Sequence, residues 1–405
     1  MSRAHYSVPG LLLLVALTSC SEPITEPDQV PAADQITAED PALSTAATAL
    51  SFYQVSGGEH HTCGITNDNR AYCWGNGILG DGQPTRHSTT PVAVAGGLSF
   101  MQVSAAGFEH MCGVTTDYRA YCWGVGSSGQ LGDGTNTDRL TPVPVAGGLR
   151  FYHVDGGGRH TCGLSYPDKK AYCWGGNDYG ELGDGEQFNQ RSAPFAVLGG
   201  HQFRQVSVGI MHSCGLTTAG PAYCWGSNYF GEIGAGDDAS NETHPTPTLV
   251  AGGRHYIQLD AGAIHACAVT TDHRAYCWGG GGSGQIGDGR TYLRFAPRAV
   301  AGGLSFDRVT AGWEHTCGEA SGNRAYCWGS NSSGQLGDGT TTRRLTPVAV
   351  AGGLFFSQVS SGRDFSCGRN DTGVGYCWGY NVYGQLGDGT TTNRLTPTPI
   401  AGPAS

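Results

Sequence analysis

Apolar positions in this chain recur with a period of two in short runs. In Ala71-Tyr72-Cys73-Trp74, Ala71 and Cys73 share one face while Tyr72 and Trp74 share the other. Such runs, bounded by Gly, Asn, Asp or Pro, read as β-strands. They also recur in a fixed order: F-x-x-V, a glycine turn, H-T-C-G-L-T, a short turn, A-Y-C-W-G, a long loop holding G-Q-L-G-D-G, and T-P-V-A-V-A-G-G. A-Y-C-W-G ends at Gly75, Gly124, Gly175, Gly226, Gly279 and Gly329, and G-Y-C-W-G ends at Gly379. Self-similarity at a period of roughly 50 residues, with four strands per unit, predicts an all-β, seven-bladed propeller of four-stranded blades over residues 50–402.

Connection lengths suggest where one blade ends. The links A-G-G-L, G-x-x and the turn before A-Y-C are short enough for hairpins, whereas the connection from W-G to the next T-P is long. This places the blade-to-blade crossing in the long loop. The first blade then starts at Phe52 without its T-P-V strand, and Thr396–Ile400 is left over. Pairing of these N- and C-terminal strands is expected to close the ring and remove an open edge.

The chain has 15 cysteines, and all but one fall into pairs ten or eleven residues apart. If Cys63 faces Cys73, Thr66 faces Arg70 and Asn67-Asp68-Asn69 form a three-residue loop whose last residue tolerates the left-handed conformation. Directly opposed residues come close enough for a disulfide. A redox pair would need C-x-x-C, and a zinc site four converging ligands, neither of which a hairpin supplies. The expected bonds are Cys63–Cys73, Cys112–Cys122, Cys162–Cys173, Cys214–Cys224, Cys267–Cys277, Cys317–Cys327 and Cys367–Cys377. Each should contribute about 2–3 kcal/mol by constraining the unfolded chain.

The fifteenth cysteine, Cys20, ends L-T-S-C after the apolar run Leu11–Leu17 and the basic Arg3. That run is too short for a stable bilayer span but suits a signal peptide. It resembles the bacterial lipoprotein signal, which implies acylation of Cys20 and cleavage before it. A plain secretory signal with an incidental cysteine is the alternative. Residues 1–19 are thus expected to be a signal peptide and 20–49 a flexible, acidic tether reaching about 30 Å. The expected location is the envelope of a bacterium, and its outer membrane if Gram-negative, with contact to lipid only through the anchor. Such compartments oxidise thiols. The formal charge is −10 and no run of Lys or Arg exists, so nucleic acid is not an expected partner.

The G-x-x-H turn, the A-Y-x-W-G strand, the G-Q-L-G loop and the T-P-V strand together resemble the regulator of chromosome condensation repeat, a seven-bladed propeller family. The resemblance covers about Ser51 to Gly402, and the cysteine pairs depart from the common intracellular form. It implies action by protein contact, as in a nucleotide-exchange factor for a small GTPase and in secreted β-lactamase inhibitors.

Candidate chemistry is weighed against that frame. The tryptophans after the second cysteine are expected to pack the core, with carbohydrate stacking as the alternative. His61, His110, His160, His212, His265 and His315 recur in equivalent places, with Phe365 in the seventh. Recurrence favours a structural bond to turn backbone over catalysis. Asp81, Asp133, Asp184, Asp288, Asp338 and Asp388 suit capped turns better than calcium, which needs several oxygen ligands in succession. The two residues before each histidine never repeat and should ring one end. Among them Phe108, Arg159, Ile210, Met211, Ile264, Trp313, Glu314 and Arg363 are the candidate partner-binding residues: an apolar arc with a charged rim, or else a plug of the channel mouth. No nucleophile elbow, metal-binding helix or phosphate loop is present, so neither enzyme activity, cofactor nor metal is expected. The sequence reads as a monomeric protein-binding module. The alternative is an exported glycan hydrolase or lyase using Glu59, Glu109, Glu314 or Asp364 in the funnel.

Overall fold

The computed structural model describes residues 50–84, 87–105, 107–236, 242–403. The expectations for residues 1–19 and 20–49, Cys20 included, lie outside the described residues. Seven four-stranded antiparallel sheets follow one another along the chain, giving the seven-bladed propeller. Blade 1 comprises Phe52–Gly57, His61–Thr66, Ala71–Asn76 and His87–Ala93, and blade 7 comprises Gln358–Ser361, Phe365–Arg369, Gly375–Gly379 and Arg394–Pro399. The first strand of each blade lines the axis, and the T-P strand forms the outer edge.

The expected cut between blades, and with it closure by paired terminal strands, is corrected. The long loop stays inside a blade: Ala71–Asn76 pairs directly with His87–Ala93, and Gly375–Gly379 with Arg394–Pro399. The crossing runs through the short link instead. Val94–Ser99 reaches about 20 Å when extended, more than the roughly 15 Å of three inter-strand steps. The long loop is long because it leaves its blade and lies against the next one. At Gly132 a Cβ would lie 2.5 Å from Trp174 Nε1, and at Gly387 also 2.5 Å from Trp74 Nε1. These glycines have φ of +67° and +69°, so both room and backbone demand glycine.

The ring therefore closes without a shared sheet, by side chains of the inner strands and by single backbone bonds such as Arg363 N–H to Gly58 C=O at 3.0 Å and Gly389 N–H to Thr89 C=O at 2.9 Å. Gln358 in blade 7 accepts from Val55 N–H at 3.0 Å and donates to Val55 C=O at 2.9 Å, so its amide stands in for a peptide of a neighbouring strand. Gln54 pairs in the same way with Val103, Gln102 with Val154, Gln205 with Leu259 and Gln258 with Val309. In blade 3 His153 reaches Val206 C=O at 3.0 Å, and in blade 6 Glu319 accepts from Val359 N–H. Ser51 also bridges to Val374, and Phe52 N–H donates to Gly373 C=O at 2.7 Å.

Core packing follows the alternation within A-Y-C-W. Cys63, Ala71 and Cys73 of blade 1 pack against Phe100, Val103 and Trp123 of blade 2, and the same contact closes blade 7 on Trp74. All seven tryptophans of the repeat are fully buried. The seven cysteine pairs are directly opposed and bonded, with Cα atoms 4.0–4.1 Å apart. Cys162 still faces Cys173 because the extra residue is absorbed in the turn. Asn69 closes its turn at φ +64°, as the three-residue loop requires.

Gln358→Leu should leave Val55 N–H and C=O unpaired at the ring closure. It is expected to lower stability by about 2–4 kcal/mol, measured by denaturant unfolding without reductant.

Candidate functional site

The recurring histidines lie at the blade interfaces. Their Nε2 atoms meet hydroxyls of the next blade: His110 with Thr161 at 2.9 Å, His160 with Ser213 at 2.8 Å, His265 with Thr316 at 2.9 Å and His315 with Ser366 at 2.9 Å. Each hydroxyl donates its one proton to a loop carbonyl, Thr161 to Gln130 and Ser213 to Glu181. The histidine must then be the donor, which fixes a neutral Nε2–H tautomer. The same carbonyls accept from the tryptophans, Trp174 to Gln130 and Trp225 to Glu181, both at 2.9 Å. The expected bond to turn backbone is thus corrected to a bond across blades. Where the next blade has Met111 or Ala266 instead of a hydroxyl residue, His61 and His212 have no partner at Nε2. Phe365 precedes Thr62, whose hydroxyl needs only the carbonyl of Gln385. Trp123 lacks the bond too, because the loop of blade 1 is shorter. Burial pushes the imidazoles of His61, His110, His160, His265 and His315 down to about 3 and that of His212 to about 4.

Around the axis runs a second belt. The residue after V in F-x-x-V accepts from the backbone of the next blade at every interface. Ser56 serves Ala105, Ser104 serves Gly156, Asp155 serves Val208, and Ser207 serves Ala261. Asp260 serves Ala311, Thr310 serves Ser361, and Ser360 serves Gly57. These residues line an axial cavity of about 150 Å³. Burial raises the carboxyl of Asp155, and raises that of Asp260 to about 7.

The non-repeating turns close one mouth of this channel. Phe108 of blade 2 meets Trp313 of blade 6 edge-on, with ring centres 6.3 Å apart. The Arg363 guanidinium lies 4.3 Å from the Trp313 ring, pairs with Glu59, and sits 3.3 Å from Asp364. Arg363 is also 3.4 Å from His60, whose ring is 4.5 Å from Tyr383, itself beside Tyr380. A continuous aromatic and charged strip therefore crosses the mouth. Burial raises Glu59 against the opposing pull of Arg363, and burial likewise raises Asp364. Ile210 and Trp313 line the axial cavity. Ile264 instead lies over Gly280 of its own blade, and Glu314 accepts from Ser283 at 3.0 Å. Arg159 is exposed and, with Phe108 and Glu109, lines a separate groove of about 230 Å³; Met211 is half-buried. The apolar arc is thus divided between the axis and the surrounding loops.

The loop aspartates cap their turns and hold the outer strand. Asp133 accepts from Thr135 and pairs with Arg139 at 2.7 Å, and Asp338 does the same with Thr340 and Arg344. Burial opposes ionisation there, but the threonine and arginine bonds outweigh it and both carboxyls titrate low. Among the described residues no group of three or more His, Cys, Asp and Glu is placed to hold a metal. Sequence reasoning missed the glutamines, the axial belt and the hydroxyl between His and Cys. Each recurs in the repeat, at the third position of F-x-Q-V, after V, and in H-T-C.

Seven four-stranded blades, each stapled by one disulfide, define the class as a β-propeller. Residues 145–405 match the model of the RCC1-like domain, and residues 118–164, 52–83 and 102–130 match models of the regulator of chromosome condensation (RCC1) repeat. The chain belongs to the RCC1-like family. It is 31% identical over 253 residues to the ultraviolet-B receptor UVR8 of Arabidopsis thaliana, covering 60% of this chain and 56% of the receptor. It is 29% identical over 265 residues to the human E3 ubiquitin-protein ligase HERC2, covering 62% of this chain and 5% of the ligase. It therefore spans about half the length of the first relative and a small part of the second. The crystal structure of Prp20p from Saccharomyces cerevisiae superposes with a TM-score of 0.72 at 19% identity, over 83% of this chain and 87% of that one.

Two substitutions test the interfaces. His212 has no Nε2 partner, and blade 7 seats Phe365 in the same kind of glycine cradle. The unfolded imidazole, near 6.5, binds protons that the folded one, near 4, refuses, so stability falls as pH drops through this window. His212→Phe should raise stability by about 1 kcal/mol at neutral pH, with the gain growing on acidification in pH-dependent melts. Asp260 has the opposite sign. Its folded carboxyl, near 7, binds protons that the unfolded one, near 3.8, has released. Asp260→Ser, the residue used elsewhere in the belt, should therefore raise Tm more at pH 8 than at pH 4.5.

Proposed function

We propose that this chain is an exported, lipid-anchored propeller of the bacterial envelope that binds another protein through the mouth formed by its non-repeating turns. The observation that carries this reading is the strip from Phe108 through Trp313 and Arg363 to Tyr383, joined across blades that otherwise repeat their chemistry. Aromatic and arginine side chains held rigid at a partly exposed centre are the usual anchors of protein interfaces. The family supports it as well. Prp20p is described by its binding to Gsp1p and histones, and a second structure shows Kap60 bound to it. The bonded cysteines in every blade support an oxidising, exported setting. Nothing favours the glycan enzyme. Glu59 and Asp364 are engaged by Arg363, and Glu314 by Ser283.

Cross-linking and affinity capture from envelope extract would compare wild type with Trp313→Ala and Ile264→Ala separately. Recovery of the specific partner should drop at least about tenfold for Trp313→Ala, the size of a central anchor. Equal recovery of every captured protein by all three would remove the mouth from consideration.

A further inference from the structure

The end opposite the mouth is chemically different. It carries the turns between the second and third strands of each blade, where the residue before A-Y-C-W-G accepts a backbone bond from across the turn: Arg70 from Thr66, Arg119 from Thr115, Lys170 from Ser165 and Arg274 from Thr270. Arg324 occupies this position in blade 6, opposite Ala320. Only Pro221 and Val374 break the series, and Val374 is where Ser51 bridges in. The backbone atoms are thus used structurally while all five cationic side chains are exposed. Single cations some 50 residues apart along the chain become a crown on one face. No scan for basic runs would find it.

Other features of that face agree. Arg150, Lys169, Arg204 and Arg308 are exposed beside the crown at strand starts and turns. The carboxylates of Asp68, Asp117, Asp168, Asp272 and Asp371 lie in the same turns and Asp307 beside them. Those of Asp68, Asp117 and Asp272 accept from the hydroxyls of Thr66, Thr115 and Thr270, Asp307 pairs with His273, and all six are shorter than the nine cations around them. Arg119 pairs with Asp117 at 3.3 Å with both side chains more than 60% exposed, a contact of little strength. Large side chains stand exposed among the cations: Tyr53, Tyr166 and Phe355 at 42%, 44% and 51%. Tyr118 stacks on Tyr166 at 4.2 Å, and Arg324 lies 5.8 Å from the Phe355 ring. Basic side chains interleaved with aromatic ones suit an anionic lipid interface. The mouth, by contrast, gathers Glu59, Glu109, Glu314 and Asp364, in a chain of net charge −10.

The chain itself enters at the basic end, where Ser51 and Phe52 bond to the turn of blade 7. We infer that this crown seats the ring on the phosphate headgroups of anionic phospholipid, with the channel mouth facing away toward its protein partner. The inference rests on the proposed anchoring at Cys20, and the first described residues, Leu50 to Phe52, lie at this face. A tether confines the face near the surface, so individually weak contacts suffice to orient it.

The test uses the mature chain from residue 20 onward carrying Cys20→Ala, so that neither an acyl group nor the apolar run Leu11–Leu17 contributes, and co-sedimentation with vesicles. Binding is expected to phosphatidylglycerol mixed with phosphatidylcholine, not to phosphatidylcholine alone, and should weaken as salt is raised. Adding Arg70→Gln, Arg119→Gln, Arg274→Gln and Arg324→Gln should lower the partition coefficient at least about tenfold. Arg290→Gln with Arg343→Gln, on loops at the mouth end, should leave it unchanged. Matching melts of the variants would show that folding is not the cause. Equal binding to both vesicles, equal loss in both variant sets, or tighter binding to duplex DNA than to vesicles would overturn the inference. Acyl labelling of wild type is read separately. Absent labelling removes the anchor alone, whereas labelled protein that ignores anionic vesicles when unacylated removes only the oriented seat.

Discussion

A ring of separate sheets has no backbone ladder running from one sheet to the next, so the free edge of each inner strand must find its partners elsewhere. Here the preceding blade supplies them. A glutamine amide copies the donor and acceptor of a peptide, and a serine, threonine or aspartate one step along takes the next N–H. Those bonds set the distance between blades, and the distance in turn fixes what fits between them. A flat disulfide face meets a tryptophan, and the tryptophan's N–H finds a loop carbonyl of the blade it packs against.

Because the interface is so fully specified, its exceptions follow one another. A histidine is bonded where the next blade offers a hydroxyl and unpartnered where that residue is Met111 or Ala266. Phe365 replaces histidine without leaving the next hydroxyl unsatisfied. Asp155 and Asp260 take the place of serine in the axial belt and are raised by burial, yet they do the same work of accepting a backbone N–H. Four of the six buried imidazoles and both aspartates of the axial belt are polar joints between blades.

With the framework occupied in this way, the chemical differences are left to the two ends. One end carries side chains that never repeat and that meet across the axis, Phe108 against Trp313. The other carries a charge that does repeat, one cation from each of five blades.

Much of this was legible beforehand. Period-two alternation and the paired cysteines determined the strands and the disulfides, because each depends on neighbours within a single hairpin. Seven copies of one unit, each with a bulky face and a flat one, determined the propeller and the burial of its tryptophans between blades. The cut between blades was not legible. Loop length suggests that long connections cross between blades, but a loop can instead be long because it packs on the next blade, as at Gly132 over Trp174. The closing bond of Gln358 to Val55, the meeting of Phe108 and Trp313, and the crown of Arg70, Arg119, Lys170, Arg274 and Arg324 all join residues from different repeats. Only the curvature of the closed ring brings such residues together, and curvature is a sum over every interface that no single repeat encodes.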